Sequence, residues 1–399
     1  MADIVIPVVV RKLYPDGKLF WVDGVPCVKD GDKVEPEEVA VAKLADSLGC
    51  SGPVQWMCLL NEPRTRNGKY SIPHYNMKGY QDDGPPAIDQ IAETCKLIDE
   101  VLAAGGSLAV FCPAGKEYES HRHFSALCVA AHAVLVRSMS ASEVAGLFPD
   151  TGFWLNSWVR ASGAQGPQRG LTLNMCLKAI ALAKERKWFD YATFDSQAYR
   201  ERWHKFDVAW YVPGEVLLLA DPLSTVADPN PSTAKYLSMD GAPDGADPKL
   251  AFSTLLQDDN VKLMVRLNME NEMAPLKNYK PQIFEKEGIG HLDTSFPDLN
   301  GGVPSNEIIR KIFASCEQVP EGSAVAFHCK AGFGRSAVCA ALWLIHRHNL
   351  PGDLIFAWLR MTRPGSITTP KQAVYLMKLK GREDIQTMLK EGPACCAIS

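Results

Sequence analysis

Val325-Ala326-Phe327-His328-Cys329-Lys330-Ala331-Gly332-Phe333-Gly334-Arg335-Ser336 is the stretch that decides the fold. The apolar run ending at His328 reads as a buried strand, and the apolar residues from Ala337 to Ile345 read as a helix. Between them lie a cysteine, two glycines and an arginine six positions after the cysteine. Strand, tight loop and helix N-terminus together aim backbone N–H groups and a helix dipole at one point, which suits an anion such as phosphate.

The residue types in the loop have separate physical uses. Cys329 is the candidate nucleophile; its attacking form is the thiolate, and the loop N–H groups, the helix N-terminus and Arg335 all favour an anion there. Arg335 offers a planar fork of donors matching two phosphate oxygens. His328, Lys330, Ala331, Gly332, Phe333 and Gly334 complete the phosphate-binding loop, with Gly332 and Gly334 allowing backbone that a side chain would hinder. Ser336 is placed to hydrogen-bond the sulfur when a phosphoenzyme breaks down, and His328 to order the loop rather than to act as acid or base.

Phosphoryl transfer to sulfur also needs a proton for the leaving oxygen. The segment His291 to Pro304 holds Asp298 among prolines and a Gly-Gly pair, and Asp298 is the candidate general acid, with Asp293 as competitor. Gln372, after Arg363-Pro364-Gly365-Ser366, is a candidate for orienting the hydrolytic water; a surface glutamine is the alternative. This chemistry calls for no metal and no cofactor.

The same grammar occurs earlier in the chain. Ser107 to Phe111 reads as a strand, Cys112-Pro113-Ala114-Gly115-Lys116 as a loop, and Ser120 to Val136 as a helix. Phe111 stands where His328 stands, Tyr118 where Arg335 stands, and Pro113 removes an N–H. The first copy reads as a duplicate that has lost its chemistry. Alternating strands and helices imply an α/β fold with a mainly parallel sheet flanked by helices in each half. The expected organisation is an inactive domain over 1–168, an interdomain linker helix region over 169–205, a catalytic domain over 206–385 and a tail over 386–399. Gly163 to Gly170 reads as linker, and the Pro-, Asp- and Gly-rich Asp221 to Asp247 as a surface loop.

Composition agrees with a globular chain of two domains: 399 residues, 46% of them hydrophobic. A net charge of −4 argues against nucleic acid as a partner. The 12 cysteines lack regular spacing and often sit in apolar runs, as expected of reduced core thiols. The N-terminus has no basic, apolar leader, so the expected location is the cytoplasm. Cys395-Cys396-Ala397-Ile398-Ser399 fits a C-a-a-X signal, with farnesyl expected on Cys396 and palmitate as a second anchor on Cys395, giving peripheral attachment to cytosolic membrane faces.

His328-Cys329-Lys330-Ala331-Gly332-Phe333-Gly334-Arg335 resembles the loop of the cysteine-dependent dual-specificity phosphatases, most of all their mitotic-exit, or cell-division-cycle fourteen, branch. Thr172 to Leu177, Phe189 to Asp195, Trp210 to Gly214, Val265 to Asn268 and Arg363 to Ser366 carry the resemblance over roughly 90–380. It implies two tandem dual-specificity-phosphatase-like domains, only the second active, and phosphorylated proteins as partners: phosphoserine or phosphothreonine before proline, and phosphotyrosine. It also implies nuclear or cytoskeletal pools, and downstream basic residues that meet an acidic groove. Here Arg200 and Arg202 stand in the corresponding stretch, beside the acids Asp190, Asp195 and Glu201, and Ser336-Ala337 replaces the family's Thr-Gly. Two alternatives remain open: a membrane-tethered phosphoprotein-binding scaffold without turnover, and a phosphoinositide phosphatase, although Phe333 replaces the second loop lysine of the latter.

Overall fold

The computed structural model describes residues 8–31, 33–50, 53–62, 64, 70–71, 81–82, 84–148, 154–155, 171–222, 255–270, 272, 279–298 and 301–390. Most of the predicted surface loop over 221–247, the linker at 163–170, and Cys395 and Cys396 lie outside them. Contacts divide the chain into two units, one drawing on 1–70, 83–157 and 170–196, the other on 71–82, 158–169 and 197–399.

The first unit is built on a four-stranded sheet of β1 (Val9–Lys12), β2 (Leu19–Val25), β3 (Val54–Met57) and β4 (Ser107–Pro113), in the order β1-β2-β4-β3. β4 pairs in parallel with β2 and β3, while β1 is antiparallel to β2. Phe20, Val22, Ala109 and Phe111 form part of its core. Helices α1 (Ile88–Ala103), α2 (Glu119–Val136), α3 (Ala141–Gly146) and α4 (Leu173–Glu185) accompany it.

α4 is the helix expected to link two domains. Thr172 caps it by accepting the Met175 N–H at 3.1 Å, and it buries Cys176, Leu177, Ile180 and Ala183. Lys184 donates to the Leu135 carbonyl at 2.7 Å, and residues 170–196 belong to the first unit. An apolar stripe along the helix must be covered, and here the first unit covers it; the expected linker region over 169–205 is instead divided between the units at 196.

In the second unit, α5 (Ser196–Phe206) precedes β5 (Val208–Val212) and β6 (Val216–Leu219); β7 (Val261–Arg266), β8 (Gly290–Asp293) and β9 (Ala324–His328) follow. The sheet order is β5-β6-β9-β7-β8, parallel except for β5. Every residue of β6 and β9 is buried, the pattern of central strands covered on both faces. Around the sheet are α6 (Asn306–Cys316), α7 (Arg335–His348), α8 (Gly352–Thr362), α9 (Pro370–Met377) and α10 (Arg382–Lys390). α7 ends at Asn349, a left-handed cap with φ 53°, and α9 opens on Thr369 as cap followed by Pro370. Each unit thus has the mixed α/β architecture of a mainly parallel sheet with helices. No helix among the described residues is long and apolar enough to cross a membrane.

Candidate active site

Because β6, β7, β8 and β9 run parallel, their carboxyl ends share one edge of the sheet, where open α/β folds bind ligands. The segments leaving that edge are stitched together by their backbones. Leu267 N–H donates to the His328 carbonyl at 3.0 Å, Asp221 N–H to the Lys330 carbonyl at 3.1 Å, and Thr294 N–H to the Arg266 carbonyl at 3.1 Å.

β9 stops at His328, so Cys329 opens the loop, 3% exposed. The chain then turns through Gly332 at φ 72°, where a Cβ would lie 2.3 Å from the Leu219 carbonyl oxygen, so a side chain is excluded there. α7 begins at Arg335, and Ser336 in its first turn places its hydroxyl oxygen 3.4 Å from the Cys329 sulfur. Arg363 braces the loop from outside: Nε donates to the Gly332 carbonyl at 2.9 Å, and a second nitrogen to that of Ala331 at 3.3 Å. Its charge is matched by Asp207 at 2.9 Å, and its guanidinium lies over the rings of Phe333 and Trp203. Phe333 is therefore buried in packing, while Lys330 is exposed and Ala331 half-buried.

Arg335 is 1% exposed and firmly held. Nη1 donates to the Phe296 carbonyl at 2.9 Å and to that of Leu267 at 3.2 Å, and the Nη1 and Nη2 edge pairs with the two Glu272 oxygens at 2.7 and 2.5 Å. Burial alone would weaken the guanidinium's hold on its proton; the Glu272 hydrogen bonds, together with the charges of Cys329, Asp298 and Glu272, outweigh this and raise its pKa. Burial likewise pushes the Glu272 carboxyl up, but the Arg335 hydrogen bonds hold it below its ordinary range. The Nε edge makes no hydrogen bond within the described residues, and Asp298 stands 3.7 Å from it.

The two candidate acids differ sharply in surroundings. Asp293 is tied through both oxygens to Arg266, at 2.6 Å from Nε, which commits it to a structural ion pair. Asp298 extends beside Arg335, and burial raises its carboxyl above the usual range while Arg335 opposes the shift. A carboxyl so raised holds its proton to higher pH, as a proton donor requires.

His328 is fully buried, and desolvation, with His291 and Arg266 adding, pushes it well below its ordinary value; it is neutral. Its Nε2 lies 2.6 Å from the Tyr279 hydroxyl, which is 2.9 Å from His291 Nε2. Its Nδ1 faces the Cys329 carbonyl at 3.5 Å. One proton arrangement serves the chain: His291 donates to Tyr279, Tyr279 to His328, and His328 to that carbonyl.

Gln372 is wholly buried rather than a surface residue. Its Oε1 accepts the Thr368 N–H at 3.1 Å and the Thr368 hydroxyl at 3.2 Å, and Nε2 donates to the Gly302 carbonyl at 3.1 Å. A Cβ on Gly334 would lie 3.2 Å from that Nε2, so the amide borders the cysteine loop. Elsewhere in this unit Arg202 is paired through two nitrogens with Asp259.

Glu272, Tyr279, His291 and Arg363 had no assigned part in the sequence reading. Arg363, in the quoted Arg363-Pro364-Gly365-Ser366, and His291, at the start of the quoted His291 to Pro304 segment, lay in stretches that could have marked them. Among the described residues no three His, Cys, Asp or Glu side chains gather as a metal site would need.

The first unit's cysteine is set differently. Cys112 lies inside β4, its sulfur within 3.7 to 3.9 Å of the Pro113 and Tyr118 carbonyls, and burial pushes its thiol well up. Arg122, on α2, pairs with Asp23 at 2.7 Å.

Comparisons with known proteins bear on both units. Residues 242–349 match the family model "Polymorphic toxin system, DSP-PTPase phosphatase". The chain is similar to the tyrosine-protein phosphatase cdc-14 of Caenorhabditis elegans, 29% identical over 310 residues, which is 75% of this chain and 40% of that protein. It is also similar to the dual specificity protein phosphatase CDC14A of Mus musculus, 34% identical over 204 residues, covering 51% of this chain and 30% of that protein. Among solved structures, PTPMT1 in complex with PI(5)P is similar over 45% of this chain and 97% of that one, at 24% identity and TM-score 0.34. The chain thus spans well under half the length of these curated relatives.

Proposed function

Because the chain belongs with the CDC14-type dual-specificity phosphatases, we propose that its second unit hydrolyses phosphorylated side chains of proteins through a cysteinyl-phosphate. Cys329 sulfur attacks phosphorus and the P–O bond to the leaving group breaks. Asp298 gives its proton to the departing oxygen, and Arg335 holds the non-bridging oxygens. Ser336 donates to the sulfur as the S–P bond then breaks under attack by water, whose proton returns to Asp298 and whose oxygen leaves in inorganic phosphate. The observation that carries this reading is the meeting of Cys329, Ser336 and Arg335 on one loop with Asp298 3.7 Å from the arginine.

Phosphoserine or phosphothreonine before proline, and phosphotyrosine, are the proposed targets, and the first unit is proposed as a phosphatase-like domain without turnover. The phosphoinositide alternative draws on exposed Lys330, but Phe333 is buried under Arg363, so the loop offers a single lysine. Phosphate release from a small aryl phosphate is the test: Cys329→Ser is expected to abolish it, a loss above about 10³-fold. Equal rates in the two proteins would leave a phosphoprotein-binding scaffold as the reading.

A further inference from the structure

Asp298 is poorly anchored by its own side chain. It is 53% exposed, and its 3.7 Å approach to Arg335 Nε is too long for a hydrogen bond, so its position depends on the backbone that carries it. On one side that backbone is fixed by Phe296, whose carbonyl accepts from Arg335 at 2.9 Å and whose N–H reaches the Leu267 carbonyl at 3.4 Å. On the other side Gly302 lies against it, because a Cβ on Gly302 would lie 2.2 Å from the carbonyl oxygen of Pro297, the residue before Asp298.

Gln372 holds that contact. Its Nε2 donates to the Gly302 carbonyl at 3.1 Å, and two Thr368 donors on Oε1 fix which end of the amide faces Gly302. A Cβ on Gly301 would lie 2.0 Å from the Thr369 hydroxyl, so the same stretch rests directly on the start of α9. The amide is fully buried, its oxygen is taken by Thr368, and one of its two Nε2 hydrogens is committed to Gly302.

We propose that Gln372 is a positioning residue: its bond to Gly302 holds the Asp298 segment over Arg335 for protonation of the leaving group. This rests on the phosphatase reading for its chemistry, though not for its geometry.

Two substitutions test it. Gln372→Met keeps length and removes the donor; Gln372→Glu keeps an acceptor for Thr368 and turns an oxygen toward the Gly302 carbonyl. Amide hydrogen exchange across 294–304 is expected to quicken several-fold in both, with 335–348 unchanged; unaltered exchange at 294–304 overturns the proposal. That measurement decides whether or not the protein turns over, whereas failure of the phosphatase reading shows separately, as wild-type activity no higher than that of Cys329→Ser. In kinetics, the ratio of kcat/KM for phenyl phosphate to that for an activated dinitrophenyl phosphate is expected to fall about tenfold, because only the poor leaving group needs the acid. The fall is expected to vanish in an Asp298→Asn background, since the two residues act through one proton transfer. Equal losses on both esters, with a burst of phenol before slow turnover, would identify a water-orienting role and overturn the proposal.

Discussion

In the second unit β9 ends at His328 and Cys329 opens the loop; in the first, β4 runs on through Cys112 and Pro113, with Pro113 still in register opposite Val25. A two-residue difference in where the strand stops, relative to the cysteine, changes what surrounds the sulfur. Cys329 faces a helix that begins at Arg335, with the Ser336 hydroxyl 3.4 Å away. Cys112 faces carbonyl oxygens, and its helix begins only at Glu119, after a turn over Lys116–Tyr118. The first loop also closes on itself: a Cβ on Gly115 would lie 2.5 Å from a Glu117 carboxylate oxygen, so a negative charge covers it. A repeated cysteine, loop and helix is therefore not a repeated anion seat; the seat depends on the strand end and on a cation six residues on.

The comparison can be broken most forcefully at the acid. Asp298→Asn is expected to lower kcat on phenyl phosphate by about 10²-fold or more. Since burial raises the Asp298 carboxyl, wild-type activity should fall as pH rises past that raised pKa, and the variant should lose this descending limb. A pH profile unchanged in shape would remove Asp298 from the role.

A smaller effect is expected at Glu272, which holds one edge of Arg335 and leaves the Nε edge for phosphate. Glu272→Ala should raise KM and the inhibition constant of inorganic phosphate about tenfold, or ~1.4 kcal/mol, with kcat changed less. Tighter phosphate binding in the variant would mean that the carboxylate competes with substrate. The smallest effect is expected in the first unit, where Cys112→Ala should leave kcat/KM within about twofold and cost about 1 kcal/mol in a denaturant melt. A Cys112→Ala protein with substantially reduced turnover would erase the functional distinction between the two loops.

Much of the site was legible because its parts are local. The strand from Ala324 to His328, the loop and the helix follow one another in sequence, and hydrophobic pattern plus Gly placement fixed their order. Asp298 could be picked out as an acid in a loop of prolines and glycines. Glu272 could not: it follows another acid, Glu270, in a polar stretch of sequence, and its partner is 63 residues away. The Tyr279, His291 and His328 chain joins three segments only once β7, β8 and β9 align in parallel. Gln372 was noticed as a residue type, but its bond to Gly302 spans 70 residues and no local pattern carries it. Pro113 argued for a loop at Cys112, yet a proline at the last residue of a strand leaves the rest of the ladder intact, and β4 keeps both.

Arg363 carries a consequence for polarity. A peptide unit is a rigid plane whose carbonyl and N–H point in opposite senses. By drawing the carbonyls of Ala331 and Gly332 toward itself, Arg363 turns the N–H groups of Gly332 and Phe333 the other way. A cation that never meets substrate thus orients two dipoles in the loop, and Asp207 neutralises it from behind, so that little of its own charge competes for the ligand. The loop's electrical sense is written from its back, and an arginine-to-lysine exchange at 363 would keep the charge while losing the fork that grips both carbonyls at once.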